Sequence, residues 1–529
     1  MSKTCKQIFE DIDCTIIGDA DVPVTGIAYR SDAVKPGDAF FCIVGLKVDG
    51  HEFAQDAIER GASVIVAERN IYNADTSSVT IVIVDDTRKA MALASCAFYD
   101  NPSSSFDLVG ITGTNGKTTT TYLVEAIGKH MGFKTGVIGT VGVKIGSKIE
   151  ASSMTTPESP DIQRIFAEMR DEGCDLVAIE VSSNALDHLR TLGCDFNVTA
   201  FTNLSQDHLD YHHTFEEYFR AKARLFGEEY PAKRVIGTMT DWGRRLADDS
   251  RKCAGGSFEV LTYGFDDSDD LHPLKIEYSG KGTAIDLVDG TREVHINSPL
   301  VGRFNVENTM CAFGIGRCLG ISDEDLAAAL GESCSVPGRL ERVRVDECDG
   351  STLPDVYVDY AHTPDALAKA ISSINGLSNG RIIVVFGCGG DRDRDKRPLM
   401  GKAALAADLA IVTSDNPRSE DPSSIIWDIV AGMPNAGLSA DASAAEADQI
   451  QGDDASSSIE TERYEVIEDR GSAIRHAIMT ADPDDIVLIA GKGHEDYQES
   501  ASGRIHFDDR EEAEKALRDR VAKAVEGTR

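Results

Sequence analysis

Apolar and polar positions along this chain follow the pattern of an α/β protein. Short apolar runs such as "LVGITG" (108–113), "LVAIEVS" (176–182) and "VTAFTNL" (198–204) are typical of buried strands. Between such runs, apolar residues recur at three- and four-residue spacing, as in a predicted helix over 215–226. This alternation predicts parallel sheets with helices packed on them.

The pattern changes twice along the chain and predicts three domains. Residues 1–100 carry short strand-like runs and one helical stretch, "HEFAQDAIERGA", and "NPSSS" (101–105) reads as a linker. One alternating set occupies 101–334, and after "SVPGRLERV" a second set occupies 335–529. We predict a small N-terminal α/β domain, a central domain built on a parallel sheet, and a C-terminal Rossmann-like domain.

The second alternating set contains the apolar runs "VYVDYA", "IIVVFG", "LAIVTS" and "DIVLIAG". We expect a helix after each run, and a ligand beyond the carboxyl ends of the strands. Residues 437–462 are rich in Ala, Ser and Asp and poor in large apolar residues. This composition predicts a disordered surface insertion between a helix and a strand.

Composition narrows the class of protein. The 529 residues include 53 basic and 89 acidic ones, a net charge of −36, which disfavours nucleic acid as a partner. We find no run of about 20 apolar residues and no apolar signal-peptide core at the N-terminus, so we expect no membrane insertion. The 12 cysteines form no C-x-x-C pair, which favours reduced thiols and a cytoplasmic location.

A glycine-rich turn between a predicted strand and a predicted helix indicates a phosphate-binding loop. It comprises Gly113, Thr114, Asn115, Gly116, Lys117, Thr118 and Thr119. Backbone N–H groups and the helix N-terminus attract an anion, while the lysine reaches terminal phosphates and a threonine hydroxyl contacts Mg²⁺. Ile111 stands where the strict motif has Gly, so an ordinary βα turn is the alternative. The loop makes the central domain P-loop ATPase-like and predicts a nucleoside triphosphate ligand.

Two further clusters of the central domain carry candidate chemistry. Glu180 ends a predicted buried strand, where a carboxylate is a suitable Mg²⁺ ligand. The stretch "TNLSQDHLDYHH" and the helix after it bring together Asp207, His208, Asp210, His212, His213 and Lys222. The spacing of the histidines is not that of a transition-metal site. A phosphate-handling loop with one metal-binding histidine is the more economical interpretation.

In the last domain, charged loops follow the apolar strands and are predicted to converge on one rim. They contain Arg392, Lys396, Arg397, Asp415, Asn416, Arg418, Lys492, His494 and Glu495. Guanidinium groups bind carboxylates or phosphates bidentately, and carboxylates bind ammonium groups. A rim with both signs suits a zwitterion such as an amino acid. The residues therefore predict an ATP-using enzyme that joins an anionic acceptor to an amine.

Motifs along nearly the whole chain, from about Ile27 to Arg510, resemble those of the Mur ligase family. They include "GTNGKTT", "EVSSNAL", "FTNLSQDHLDYH", "GRFNVEN", "DYAHTPDAL", "GGDRDRDKRPLMG", "DNPRSEDP" and "GKGHEDYQ". The resemblance implies that ATP phosphorylates the D-glutamate carboxylate of UDP-MurNAc-L-Ala-D-Glu. The amine of a diamino acid then attacks the acyl phosphate, in the synthesis of peptidoglycan precursors.

The resemblance also implies roles for individual residues of the central domain. Lys117 and Thr118 would hold the ATP phosphates, Thr118 and Glu180 would bind a first Mg²⁺, and His208 would bind a second. Lys222, carbamylated by a CO₂-derived group, would hold a cation beside the γ-phosphate. Asn305 and Asn308 would lie near the nucleotide base. Ser31, Thr155, Thr156, Ser182, His188 and Arg190 would bind UDP-MurNAc-L-Ala-D-Glu. The chain departs from the family's pattern at Arg30, Asp32 and Asn184, so only Ser31 of the first motif carries over.

For the amino-acid pocket the resemblance implies Arg392, Asp415, Asn416, Pro417, Arg418, Gly491 and Glu495. "DNPR" with Arg418 favours meso-diaminopimelate, whose second carboxylate needs a cationic partner. L-lysine or another diamino acid is the nearest alternative. A folylpolyglutamate-synthetase-like ligase and a non-catalytic ATP-dependent switch are more remote ones. We expect a monomer.

Overall fold

The computed structural model describes residues 2–45, 48–71, 76–150, 152, 154–205, 209–253, 258–279, 282–333, 336–345, 353–433, 459–460 and 463–527. The chain forms two compact units. The first contains residues 1–274, 286–296 and 307–330, and the second contains 275–285, 297–306 and 331–529. The described cysteines carry free thiols. Among the described helices, none is both long and apolar enough to cross a bilayer.

The N-terminal segment of the first unit is a small mixed sheet with flanking helices. Its strands are β1 Lys3–Thr4, β2 Thr15–Ile17, β3 Pro23–Val24, β4 Gly26–Ala28, β5 Asp38–Phe41, β6 Val64–Ala67 and β7 Thr80–Ile83. Its helices are α1 Cys5–Ile8, α2 Ala54–Glu59 and α3 Thr87–Phe98, with 3₁₀ turns at Ser31–Ala33 and Gly50–Phe53. The sheet order is β2-β7-β6-β5-β4, and β4 to β7 run parallel.

The following segment contains a larger sheet. Its strands are β8 Asp107–Thr112, β9 Thr135–Gly139, β10 Gly142–Ile145, β11 Lys148–Glu150, β12 Leu176–Glu180, β13 Val198–Phe201, β14 Lys233–Gly237, β15 Val260–Tyr263, β16 Leu271–Ser279, β17 Gly282–Asp289 and β18 Arg292–Ser298. Its helices are α4 Lys117–His130, α5 Ser159–Asp171, α6 Ser183–Asp187, α7 Leu209–His212, α8 Phe215–Ala223, α9 Asp241–Cys253, α10 Arg303–Cys318 and α11 Asp323–Gly331. Short 3₁₀ turns cover Pro102–Ser105 and Arg224–Phe226.

The parallel part of this sheet determines where the loops of the first unit converge. Its order is β11-β10-β9-β12-β8-β13-β14-β15, and β9, β12, β8, β13, β14 and β15 run parallel. Residues on both faces of these strands are buried, including Val109, Ile179 and Phe201, as expected for parallel strands covered by helices. Glu180 pairs in register with Ile111, so the carboxyl ends of β8, β12 and β13 meet at one edge.

The second unit is a doubly wound sheet. Its strands are β19 Glu341–Val343, β20 Asp355–Asp359, β21 Ile382–Phe386, β22 Leu409–Val412, β23 Ile459–Glu460, β24 Tyr464–Val466, β25 Ile486–Ala490, β26 Tyr497–Ser500 and β27 Gly503–His506. Its helices are α12 Pro364–Ile374, α13 Lys396–Ala404, α14 Pro422–Val430, α15 Arg470–Thr480 and α16 Asp509–Gly527. The order is β19-β20-β25-β21-β22-β24-β23, with β20, β25, β21, β22 and β24 parallel.

Three local features differ from the sequence-based expectation. The predicted linker at 101–105 contains a 3₁₀ turn whose Ser103 is buried and accepts a hydrogen bond from the Asp195 N–H at 3.1 Å. The run "DIVLIAG" is followed first by the β26–β27 hairpin and only then by α16, because the alternation in "DYQES" continues as a strand. Most of the predicted insertion at 437–462 lies outside the described residues, but Ile459–Glu460 pair with β24 as an edge strand.

Candidate active site

The loop between β8 and α4 has the backbone of a phosphate cradle. Gly113 and Gly116 adopt φ of 147° and 87°, in the region that favours glycine. A Cβ at Gly113 would overlap Oγ1 of Thr202, and a Cβ at Gly116 would overlap Oδ1 of Asn308. Lys117 is the first residue of α4, so the loop ends at a helix N-terminus, where backbone N–H groups attract anions. Only glycine fits these two positions, which explains the glycine spacing of the motif.

The segment after β13 holds this loop in place. The Asn203 carbonyl accepts from the Thr114 N–H at 2.9 Å, and Asn203 Oδ1 accepts from the Asn115 N–H at 3.1 Å. Thr202 Oγ1 donates to the Asn115 carbonyl at 2.6 Å. Ser205 N–H donates to Thr114 Oγ1 at 3.0 Å. The cradle is therefore held in place by neighbouring backbone and side-chain groups.

Two lysines from distant parts of the chain meet at this loop. Lys117 Nζ donates to the carbonyls of Gly113 and Thr114, at 2.9 Å each. Lys222 Nζ, on α8, also donates to the Gly113 carbonyl at 2.9 Å and lies 4.6 Å from the centre of the Tyr218 ring. The Lys222 residue is only 1% exposed. Burial of an ammonium group requires such partners.

Glu180 lies at the end of β12, beside the same cradle. Its two carboxylate oxygens accept from Thr140, one from the backbone N–H at 2.9 Å and one from Oγ1 at 3.2 Å. A carboxylate oxygen accepts more than one hydrogen bond, so both oxygens retain capacity for a cation. Thr118, in the first turn of α4, is buried as well. A hydroxyl and a carboxylate are the oxygen ligands that suit Mg²⁺ with its remaining water and phosphate ligands.

The histidine-rich loop is only partly within the described residues. Asp207 and His208 lie outside them, as does the side chain of Asp210, so the structure gives no geometry for the predicted metal-binding histidine. His212 is buried, and its Nε2 lies 2.8 Å from Ser183 Oγ. This bond joins α7 to α6. Among the described residues, no group of three or more His, Cys, Asp or Glu side chains is arranged to hold a metal.

The residues predicted to bind the UDP-linked substrate gather around the start of α6. Thr156 Oγ1 donates to the Glu180 carbonyl at 2.7 Å, and the Ser182 N–H donates to Thr156 Oγ1 at 3.0 Å. Ser182 caps α6 by accepting from the Ala185 N–H. Arg190 donates to the Thr156 carbonyl at 3.0 Å. These residues and Glu180 therefore form one connected set at the edge of the sheet.

Two other predicted residues occupy different positions in the first unit. Thr155 Oγ1 lies 3.2 Å from Thr140 Oγ1, next to Glu180. Ser31 begins the 3₁₀ turn of the N-terminal segment. A hydrogen bond between the Ser31 hydroxyl and the Asp56 carboxylate lowers the pKa of Asp56. The substituted neighbours Arg30 and Asp32 form an exposed ion pair with each other at 2.6 Å.

Asn305 and Asn308 lie on the first two turns of α10 and are buried. Asn305 Nδ2 donates to the Val301 carbonyl at 2.8 Å, within the second unit. Asn308 belongs to the first unit and faces Gly116 of the cradle. Of the two asparagines, Asn308 is the one that the structure places beside the phosphate loop.

In the second unit, a hydrogen-bonded cluster connects two of the predicted pocket loops. Asn416 Nδ2 donates to Glu495 Oε2 at 2.8 Å. Lys492 Nζ donates to the same Glu495 oxygen at 3.1 Å and to Asn416 Oδ1 at 3.2 Å. Lys492 and Asn416 are buried, at 0% and 2% exposure. The ammonium group is thereby neutralised, and the carboxylate of Glu495 is oriented at the carboxyl edge of the sheet.

Asp415 and Gly491 lie next to this cluster. A Cβ at Gly491 would lie 2.6 Å from Asp415 Oδ2, and Gly491 has φ of 119°, so the position requires glycine. The buried Arg470 guanidinium lies 3.9 Å from Asp415 and makes a bidentate pair with Asp509 at 2.7 Å. Arg470 also donates to the carbonyl of Ala490 at 3.0 Å and thereby connects the start of α16 to the end of β25.

Arg418 presents its guanidinium at the same edge. Its backbone adopts φ of 52°, and its NH1 donates to the Gly390 carbonyl at 2.6 Å. Its Nε lies 3.4 Å from Glu499 Oε2, on the hairpin. Arg392 is exposed on the loop after β21, and the Pro417 carbonyl faces Gly390. The loop after β21, the loop after β22 and the hairpin therefore meet at Arg418.

Sequence reasoning did not identify two residues that contact the predicted sites, and it placed one buried arginine on the rim. Thr140 and Glu499 bind predicted site residues, although neither belongs to a motif; the period-two pattern of "YQES" was the available signal for the strand carrying Glu499. Arg397, predicted on the rim, is fully buried and pairs with Glu420 at 2.8 Å and Asp428 at 2.9 Å. Its charge is directed to the protein's own carboxylates.

Comparison with known proteins places the chain in one family. Residues 23–99 match "Mur ligase family, catalytic domain", residues 111–316 match "Mur ligase middle domain", and residues 338–493 match "Mur ligase, glutamate ligase domain". The chain belongs to the Mur ligase family. It is 42% identical over 501 residues to the UDP-N-acetylmuramoyl-L-alanyl-D-glutamate–2,6-diaminopimelate ligase of Geobacillus kaustophilus (strain HTA426), covering 94% of this chain and 95% of that protein.

Two further comparisons extend over nearly the whole chain. The enzyme of the same name from Geobacter metallireducens is 41% identical over 518 residues, covering 96% of each chain. A solved structure titled as a UDP-N-acetylmuramoyl-L-alanyl-D-glutamate–2,6-diaminopimelate ligase matches with a TM-score of 0.68 and 30% identity. It covers 98% of this chain and 99% of that one.

Proposed function

We propose that this protein is an ATP-dependent ligase that joins 2,6-diaminopimelate to the D-glutamate carboxylate of UDP-MurNAc-L-Ala-D-Glu. The observation that carries the proposal is the preformed cradle at Gly113–Thr118 with two lysines on the Gly113 carbonyl and Glu180 beside it. The names of relatives about 40% identical over the full chain support the choice of substrates. This reaction belongs to peptidoglycan precursor synthesis, for which we propose a cytoplasmic location and a monomeric enzyme.

The cradle binds the triphosphate of ATP. Backbone N–H groups at the start of α4 receive the phosphates, and Lys117 turns from the loop carbonyls toward the transferred phosphoryl group. Its positive charge stabilises the negative charge that develops during transfer. Asn308 lies against Gly116 of the cradle, and Asn305, one turn earlier on α10, is our candidate contact for the base.

Oxygen ligands from this chain fit Mg²⁺ at the cradle. Thr118 and Glu180 would hold one ion, and His208 is our candidate ligand for a second. Mg²⁺ held by these residues would neutralise phosphate charge and orient the transferred group. Lys222 is the proposed carbamylation site; a carbamate keeps an N–H that can still donate to the Gly113 carbonyl, and it adds an anionic group beside the phosphates.

The carboxylate acceptor is held by the set around α6. Arg190 and the hydroxyls of Thr156 and Ser182 are suited to the phosphates and carboxylates of the UDP-linked dipeptide. Ser31 in the N-terminal segment contacts the UDP end, and Thr155 lies near Glu180. A carboxylate oxygen of D-glutamate attacks the γ-phosphorus, ADP leaves, and an acyl phosphate forms.

The amino acid binds in the second unit. Glu495, Asp415 and Asn416 receive ammonium groups, and Arg418, assisted by Arg392, receives a carboxylate. The free amine attacks the acyl carbon, and inorganic phosphate leaves with the former carboxylate oxygen. Diaminopimelate has a second carboxylate that matches the Arg418 guanidinium, and L-lysine lacks it. We therefore assign one ligand to each predicted domain: the UDP-sugar to residues 1–100, ATP to residues 101–334 and the amino acid to residues 335–529.

Phosphate release by the purified protein tests this proposal. We expect turnover only when ATP, Mg²⁺, UDP-MurNAc-L-Ala-D-Glu and meso-diaminopimelate are all present, with a tripeptide product of the expected mass. Turnover with L-lysine in place of diaminopimelate would retain the ligase and reject the pocket assignment. Phosphate release that ignores both the dipeptide and the amino acid would indicate an ATP-dependent switch instead.

A further inference from the structure

A chain of three side chains links α6 to α7 beside the proposed dipeptide site. The Tyr211 hydroxyl donates to Asp187 Oδ2 at 2.6 Å and lies 2.9 Å from Nε2 of His188. The rings of His188 and Tyr211 meet edge to face at 6.0 Å between centroids. Asp187 and His188 sit at the end of α6, whose start carries Ser182. Asp187, His188 and Tyr211 are therefore adjacent to the proposed substrate-binding residues at the start of α6.

Hydrogen-bond chemistry assigns the proton on His188. A carboxylate only accepts, and a phenol has one proton, so Tyr211 uses its proton on Asp187. Burial, and then the hydrogen bond with Asp187, raise the pKa of Tyr211 to about 12, so the phenol keeps that proton. The Tyr211 oxygen can then only accept from His188, which places the imidazole proton on Nε2.

The surroundings of His188 keep the ring neutral. Burial and then the positive charges of Arg88 and Arg190 lower its pKa to about 4, although Asp187 acts in the opposite direction. A neutral imidazole with its proton on Nε2 has an unprotonated Nδ1 that carries a lone pair. That atom is therefore a hydrogen-bond acceptor.

Nδ1 of His188 is buried and makes no hydrogen bond with any described residue. Two neighbouring polar atoms share this condition, Nε of Arg190 and Oε2 of Glu158, although Arg190 and Glu158 pair with each other at 2.7 Å. Buried polar atoms in native proteins normally have partners. Three such atoms at one proposed binding site indicate a ligand with both donors and acceptors.

We infer that Tyr211 and Asp187 hold His188 as the Nε2–H tautomer, so that Nδ1 accepts a hydrogen bond from an N–H or O–H group of UDP-MurNAc-L-Ala-D-Glu. The inference rests on the proposed function and adds two positioning residues to it. The dipeptide substrate carries several amide N–H and hydroxyl groups that match such an acceptor. Arg190 and Glu158 complete the site with a donor and an acceptor of their own.

Nitrogen-15 NMR of protein labelled at histidine reads the tautomer directly, with the His188 signals assigned by their loss in His188→Gln. We expect an Nε2–H, unprotonated-Nδ1 pattern at neutral pH and a shift of the Nδ1 signal when UDP-MurNAc-L-Ala-D-Glu binds. Tyr211→Phe removes the hydroxyl and keeps the ring. It should give a mixture of tautomers and raise KM for the dipeptide substrate about tenfold, the cost of one hydrogen bond, without changing KM for ATP.

Matched variants separate positioning from folding. Tyr99→Phe removes a hydroxyl from a half-buried tyrosine of the same unit and should leave both readouts unchanged. His188→Gln, which supplies a carbonyl acceptor, should keep a lower KM than His188→Leu. Binding and turnover with an unchanged Nδ1 signal, or an Nδ1–H pattern in the free protein, would overturn the inference alone. A wild-type protein that neither binds nor turns over the dipeptide would overturn the proposed function as well.

Discussion

The proposed phosphate cradle of the first unit and the proposed amino-acid pocket of the second are built in different ways. In the cradle the backbone provides the site: Gly113 and Gly116 take conformations that other residues avoid, and Asn203 fixes the loop from outside. In the pocket, side chains provide the site: Asn416, Lys492 and Glu495 orient one another. A phosphate can be bound by backbone N–H groups whatever their side chains are. A diamino acid, in contrast, requires charged side chains at fixed positions.

This difference predicts how each site fails. Loss of a charge that acts on the transferred phosphoryl group should abolish the reaction, since the cradle alone only binds. Loss of a pocket charge should weaken one substrate and leave the others. A change of backbone should affect stability together with nucleotide binding. The following predictions test these expectations, beginning with the largest effect.

Lys117→Ala should reduce turnover by roughly 10²–10³-fold or more, because its charge stabilises the transition state of phosphoryl transfer. Initial rates of phosphate release at saturating substrates measure this effect. Lys129→Ala, in the last turn of the same helix and about half exposed, is the control and should keep normal rates. Normal turnover of Lys117→Ala would remove the lysine from the mechanism.

Arg418→Ala should raise KM for diaminopimelate by about 10- to 100-fold, the cost of one charge-assisted contact, and leave KM for ATP unchanged. Arg504→Ala is the matched control, because Arg504 contacts the same Glu499 carboxylate at 3.2 Å from the solvent side. Steady-state kinetics with each substrate varied in turn separates the two. Equal effects of both variants would show that Arg418 acts only through the hairpin.

Gly116→Ala should lower the free energy of unfolding by about 1–3 kcal/mol and weaken ATP binding. The Cβ added at Gly116 would meet Asn308. Gly132→Ala is the control, because Gly132 has a similar positive φ of 75° but a Cβ there would lie in open space. The backbone cost is similar in both variants, so the difference measures the cradle. Denaturant unfolding and nucleotide titration give the two readouts, and equal stability of the two variants would argue against the close fit.

The pH dependence of stability tests the environment of His188 at the end of α6, where we expect the smallest of these effects. The pKa of His188 is about 4 in the folded protein against 6.5 for an ordinary histidine, so the unfolded chain binds more protons between these values. Stability from this source is present above pH 6.5 and is lost as the pH falls toward 4. Thermal unfolding of His188→Gln should therefore lose less stability over this range than the wild type. Parallel curves would place His188 in a solvated position.

The cradle was predictable from sequence because its requirements are local. A buried strand, two glycines, a lysine and a helix follow one another within Asp107–His130, and each restricts the backbone of the next. The pairing of Lys222 with the Gly113 carbonyl was not predictable, because it joins residues 109 positions apart. His212 illustrates the same limit. It lies in the stretch that is rich in histidine and aspartate, but its side chain joins α7 to Ser183.

The second unit shows where motif reading ends. The presence of the main strands and the convergence of their loops on one edge were predicted from the apolar runs, whereas the β26–β27 hairpin and Glu499 depended on a short alternating stretch with few apolar residues. Arg397 and Arg418 look equivalent in sequence, yet one is buried against Glu420 and the other is presented at the sheet edge. Tertiary packing therefore decides which arginine is buried in ion pairs and which lies at the edge, where we propose that it binds a ligand.

Transfer of oxygen from the acceptor to phosphate tests the proposed reaction most directly. UDP-MurNAc-L-Ala-D-Glu labelled with ¹⁸O in the D-glutamate carboxylates is incubated with the protein, ATP, Mg²⁺ and meso-diaminopimelate, and the released phosphate is examined by mass spectrometry. The proposed acyl phosphate predicts one ¹⁸O atom in each phosphate formed by turnover. Unlabelled phosphate released along with the tripeptide would contradict it, because the carboxylate oxygen would then not have attacked the γ-phosphorus.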